Sequence, residues 1–241
     1  MSDNDNGNRW WEYYAVRYFV GTVVGAGVVA ALNLIPSSPY VSLLSSLTQF
    51  TDASFKDLSL FGAVGFAFCY IASAPVLALH AAREHLRFTQ LYNRPRIFIL
   101  CLAASIIVSV TLSLYLAPTV PALVLAGILT LQVFPLLCAF STNFREVEIF
   151  YEHLSTARAK GKGEKPDYAI KEVVESFRHL REHGNAMLIL VFELILAFIL
   201  FQLPCSSFAI PVLLLWLAPA SSAWLVATIV EVRFAHKYGK P

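Results

Sequence analysis

The chain contains very little charge. Asp, Glu, Lys and Arg make up 14% of its 241 residues, whereas roughly a quarter of the residues of a soluble domain are charged. Hydrophobic residues account for 57% of the chain. This composition excludes an ordinary soluble domain and predicts that the chain lies in a lipid bilayer.

Motifs for metal binding and catalysis are also missing. Three of the four cysteines lie inside apolar segments, and no CxxC or Cys/His spacing suggests a disulfide framework or a zinc site. The chain lacks HExxH, G-x-S-x-G and a nucleotide-binding glycine pattern. We therefore expect no cofactor and favour a non-enzymatic protein.

Apolar segments dominate what is present. A helix that crosses a hydrocarbon core of about 30 Å needs roughly 20 mainly apolar residues. Six segments reach that length, and the chain is therefore predicted to be an all-α polytopic membrane protein with six transmembrane helices. The predicted helices cover residues 15–35, 59–81, 97–117, 121–140, 186–203 and 208–230.

The basic residues indicate how these helices are oriented. Lys56 alone among the 18 Lys and Arg residues lies outside the segments 1–17, 82–96, 141–184 and 231–241. Because short loops rich in Lys and Arg stay in the cytoplasm, both termini are predicted to be cytoplasmic. A compact chain with this bias is typical of a bacterial inner (plasma) membrane.

One soluble element of some size is expected, a cytoplasmic helical hairpin over residues 141–184. Apolar residues recur at helical spacing before and after the Gly161-Lys162-Gly163 turn, and Gly184 is suited to cap the end of the second arm. The chain is thus divided into transmembrane helices one to four (1–140), the hairpin (141–184), and helices five and six with the tail (185–241).

The tip of this hairpin is a candidate binding surface for a cytoplasmic protein. The surface as a whole mixes both signs of charge, so nucleic acid is not the expected partner. The basic residues at the tip are Arg158, Lys160, Lys162 and Lys165.

Glu193 is the acidic residue nearest the middle of a predicted membrane helix. An ionised carboxylate there costs several kcal/mol, so such residues face the bundle interior and mark a proton or ion path or a polar clamp. Gln132 lies at a comparable depth in the fourth predicted helix and is the expected hydrogen-bond donor.

Small residues form two further patterns. Ser105, Ser109 and Ser113 recur every four residues in the third predicted helix, and they either line a hydrated path or allow close helix packing. Gly21 and Gly25 form a GxxxG motif in the first helix, which suits either self-association into a homo-oligomer or a contact within the chain.

Histidines provide weak candidates for metal binding. Two pairs lie close in sequence, and imidazoles at i and i+4 on one helix can ligate a single ion. The alternative is that these side chains lie at the membrane interface and contact lipid headgroups or glutamates. The pairs are His80 with His85 and His179 with His183.

Three functions are consistent with these features. The first is an oligomeric channel-like or scaffold protein whose hairpin binds a cytoplasmic partner. The second is a small proton- or ion-coupled transporter that uses Glu193, and the third is a histidine-ligated metal enzyme that modifies lipids.

Overall fold

The computed structural model describes residues 14–41, 55–81, 95–116, 119–140 and 168–238, together with Arg145, Ile149, His153 and Thr156. These residues form helices and connecting turns, and no strand occurs among them. Besides the short 3-10 turn Ser206–Phe208, the helices are α1 (Tyr14–Leu34), α2 (Phe55–Ala72), α3 (Ala74–Ala81), α4 (Pro95–Leu116), α5 (Thr119–Phe140), α6 (Tyr168–Phe201) and α7 (Ala209–Tyr238).

Four stretches of the described chain are long and apolar enough to cross a membrane: Leu58–His80, Val120–Cys138, Gly184–Phe201 and Ser206–Arg233. Two further apolar stretches, Tyr18–Leu34 in α1 and Pro95–Val108 in α4, are shorter than a full crossing. The described residues are therefore all-helical and compatible with a membrane protein, and the count of six spans remains a prediction.

The first and second apolar segments pack at backbone distance. A Cβ atom on Gly25 of α1 would lie 2.6 Å from the carbonyl oxygen of Gly65 in α2, and a Cβ on Gly65 would lie 2.7 Å from the Cβ of Ala26. The GxxxG face of α1 is thus occupied by an internal contact, which removes it as a surface for self-association. Gly27, on the outer face of the same helix, has no atom within 4 Å of such a Cβ.

The second apolar segment is divided into α2 and α3 at Ser73. Pro75 causes the break because it has no N–H to donate to the carbonyl of Ile71, four residues earlier. The indole N–H of Trp216 in α7 donates to that carbonyl instead, at 3.1 Å. Helix α3 packs against α5 and α7 beyond the break.

The helix that carries Glu193 does not begin where the sequence suggested, at residue 186. Gly184 was predicted to cap the hairpin's second arm, but α6 runs without interruption from Tyr168 to Phe201. A glycine inside a helix costs only about 1 kcal/mol relative to alanine, whereas an unpaired backbone group inside a bilayer costs several kcal/mol. Continuing the helix into the membrane is therefore favoured.

Only parts of the predicted hairpin are described. Its second arm belongs to α6, and the four isolated residues of its first arm are helical and exposed. The contact predicted between the two apolar stripes lies outside the described residues, as do Arg158, Lys160, Lys162 and Lys165.

The glycine contact generates a prediction with a control in the same helix. Gly25→Ala should lower the free energy of unfolding by about 1 to 3 kcal/mol, because the new methyl group meets the backbone of Gly65. Gly27→Ala adds the same methyl group to open space and should be neutral or slightly stabilising. Thermal unfolding of the detergent-purified variants measures both, and equal effects would contradict the packing.

Candidate functional site

Two polar side chains are completely buried inside the bundle. Glu193 of α6 and Gln132 of α5 are each 0% exposed. Neither carboxylate oxygen of Glu193 has a hydrogen-bond partner, and the amide oxygen and nitrogen of Gln132 have none either. The predicted hydrogen bond between the two is therefore not formed.

Glu193 lies where α6 meets α1 and α2. A Cβ atom on Gly21 would be 3.2 Å from its Oε1 and 3.5 Å from the Cγ2 of Ile189, and would overlap the Sγ of Cys69. The missing side chain of Gly21 thus provides the space in which the carboxyl and the thiol face each other. The thiol lies beside the carboxyl without the geometry of a hydrogen bond.

The buried core that contains α6 is otherwise apolar. Phe192 packs edge-on against Trp216, with ring centroids 6.1 Å apart, and Trp216 is itself 0% exposed. In the described part of the chain, the other buried polar or charged residues besides Gln132 are Asn33 and Ser38, near the opposite end of α1. No buried cation of the described chain neutralises Glu193.

The predicted serine face is only partly described. The hydroxyls of Ser105 in α4 and Thr130 in α5 are hydrogen-bonded to each other, and Thr130 also donates to the carbonyl of Ala126 at 2.8 Å. Ser105 thus joins α4 to α5. The side chains of Ser109 and Ser113 lie outside the described residues.

The predicted histidine site is not assembled within the described chain. Nδ1 of His80 lies 3.1 Å from the carbonyl of Val76, which can only accept, so this nitrogen carries the proton. Nε2 then accepts from the amide of Asn185 in α6, at 3.2 Å. His80 therefore links α3 to α6.

The remaining histidine candidates contribute no described side chain. His179 and His183 share one face of α6 by register, but their side chains lie outside the described residues, as does the whole of His85. No group of three or more His, Cys, Asp or Glu residues that could hold a metal ion occurs in the described part.

A second buried polar group lies toward the end of the bundle where α6 turns into α7. Tyr40, in the segment after α1, is buried, and its hydroxyl has no hydrogen-bond partner. Burial, with a smaller contribution from Cys205, raises the pKa of Tyr40 to about 12, so this phenol is neutral at physiological pH. Cys205 is exposed, and a hydrogen bond with Ser207 lowers the pKa of its thiol.

Sequence reasoning missed Cys69, Gly65 and Trp216. A signal existed for the first two, because Gly65 and Cys69 form a small-x-x-x-small pair that complements Gly21 and Gly25. Trp216 could have been noticed as a tryptophan in the middle of an apolar run, away from the interfacial belts where this residue is usual.

Comparison with known proteins identifies no relative: no protein-family model, no curated protein and no solved structure matches the chain. The site must therefore be interpreted from its own chemistry. An acid without a partner, held in an apolar interior, can bind and release a proton.

Trp216 generates a prediction about the helix break. Trp216→Phe retains an aromatic ring but leaves the carbonyl of Ile71 without a donor, so it should lower the free energy of unfolding by about 1 to 3 kcal/mol. Trp224, in the same helix and 61% exposed, provides the control, and Trp224→Phe should be close to neutral. Equal stability of the two variants would contradict the assigned hydrogen bond.

Proposed function

We propose that the chain is a six-span membrane protein with both termini in the cytoplasm, and that it is a small proton- or ion-coupled transporter that uses Glu193. The observation that supports transport is the isolation of this carboxyl. An acid buried in a helix bundle without compensation costs about 3 kcal/mol. A residue with such a cost is readily explained if its charge changes during function.

The alternative role for Glu193 is a polar clamp between helices. A clamp stabilises through a hydrogen bond to a neighbouring helix, and Gln132 was the expected partner. Since neither side chain is hydrogen-bonded, the clamp lacks the interaction that would make it stabilising. Transport is therefore favoured over a purely structural role.

The scaffold hypothesis loses one of its three supports. It relied in part on Gly21 and Gly25 as an oligomerisation face, and these residues pack against α2 and the carboxyl of α6 within the chain. Its other supports are the absence of catalytic motifs and the charged hairpin, whose basic tip remains a prediction. A protein partner for that tip is compatible with transport by the bundle.

The orientation can be tested with a native cysteine. Cys205 is exposed, whereas Cys69, Cys101 and Cys138 are buried, and a lowered thiol pKa favours the reactive thiolate. A membrane-impermeant maleimide applied to intact cells should label the wild type but not Cys205→Ser. Labelling that requires permeabilised cells would place the connection between α6 and α7 in the cytoplasm and overturn the orientation.

The transport proposal is tested by two substitutions of Glu193. Glu193→Gln should insert and fold because a neutral amide replaces the acid, but it should abolish dissipation of an imposed proton or cation gradient in proteoliposomes. Glu193→Lys should prevent accumulation of the protein, because a cation in the apolar core has no partner. Full activity of the Gln variant, or no flux with the wild type, would contradict the proposal.

A further inference from the structure

The side chains beside Glu193 restrict which ion its carboxyl can bind. Hard cations such as Mg²⁺ and Ca²⁺ take six or more oxygen ligands. The three atoms nearest to a Cβ built on Gly21 are the Sγ of Cys69, the Oε1 of Glu193 and the Cγ2 methyl of Ile189. A thiol is a poor ligand for such cations, and a methyl group is none.

Other buried side chains of the described chain do not complete a coordination shell. Asn33 and Ser38 are two of them, and Asn33 lies 12 residues from Gly21, about 18 Å along α1 at about 1.5 Å per residue. Only the amide oxygen of Gln132 remains. The buried side chains of the described chain thus supply at most three oxygens, where six are required.

Charges on the neighbouring helices do not favour an ionised carboxylate. The titratable group beside Glu193 on α2 is the thiol of Cys69, and the buried polar side chain of α5 is the neutral amide of Gln132. His80 of α3 is bound to Asn185 of α6, which lies eight residues before Glu193.

Two tyrosines lie on α1 and α2, the helices that pack against α6. Tyr18 of α1 and Tyr70 of α2 stack on each other with centroids 6.0 Å apart, and Tyr70 is exposed on the outside of the bundle. Neither provides a positive charge. A carboxyl in this position is stable only with its proton attached.

We infer that the ion handled by Glu193 is the proton itself, and that the side chain rests as a neutral carboxylic acid in a pocket beside Gly21 that accepts no metal cation. This inference rests on the proposed transport function and specifies its substrate. Release of the proton leaves a carboxylate beside which the described chain places only the weak thiol donor of Cys69, so we expect release to be coupled to a rearrangement that brings water or a stronger donor to the carboxyl.

The inference can be tested by chemical labelling. A hydrophobic carbodiimide reacts with an un-ionised carboxyl: the acid's oxygen bonds to the central carbon, its proton moves to a nitrogen, and rearrangement gives a stable N-acylurea with no leaving group. We expect mass spectrometry to find this adduct on Glu193 of the purified wild type at neutral pH. The adduct should be absent from Glu193→Gln and should form equally in sodium, magnesium and calcium chloride.

Protection from labelling by one of these salts would show that a cation occupies the carboxyl, and would overturn the inference. Thermal unfolding supplies a measurement that does not depend on access of the reagent. The wild type should lose stability relative to Glu193→Gln as the pH rises, because the unfolded chain releases the proton more easily than the folded one. A wild type that instead gains stability relative to Glu193→Gln as the pH rises, or on addition of a metal cation, would also overturn the inference.

The transport proposal and the proposal that the ion is a proton can be contradicted independently of each other. If labelling and the pH dependence are as expected but proteoliposomes show no proton flux, the transport function is wrong and the neutral acid stands. If flux is driven by a sodium gradient and persists in the presence of a protonophore, transport stands and the proton is the wrong ion.

Discussion

Burial of one carboxyl group without a counter-charge is the constraint on which the rest of this structure depends. Glu193 lies in a core of Leu, Ile, Phe and Trp side chains, and the chain makes space for it through Gly21 rather than supplying a partner. The close approach of α1 and α2 at Gly25 and Gly65 brings that glycine against α6. The packing of three helices is thus tied to the position of a single acid.

The backbone carbonyl of Ile71 illustrates how the fold supplies a hydrogen-bond partner from a distant helix. Pro75 deprives the carbonyl of Ile71 of its helical partner, and the indole of Trp216 replaces it from a distant helix. His80 and Asn185 likewise satisfy each other across α3 and α6. Against these examples, neither oxygen of the Glu193 carboxyl has a hydrogen-bond partner, and the amide of Gln132 and the hydroxyl of Tyr40 have none either.

The apolar helices and Glu193 were predictable from the sequence because both are local signals: long hydrophobic runs, and one acid within such a run. Contacts between helices were not. Helix α5 is apolar on all sides, so periodicity does not indicate which face of it meets α6, and the pairing of Gln132 with Glu193 was wrong for that reason. Gly184 was assigned as a helix end from its local propensity, which the need for paired backbone groups in a bilayer overrides.

The protonation state of Glu193 is the most direct test of this account. Infrared spectra of the purified wild type and Glu193→Gln, compared at neutral pH, isolate the signal of this one side chain. The account predicts a carbonyl stretching band of an un-ionised carboxylic acid with little hydrogen bonding, present in the wild type and absent from the variant. A difference spectrum that contains only the bands of an ionised carboxylate would contradict it.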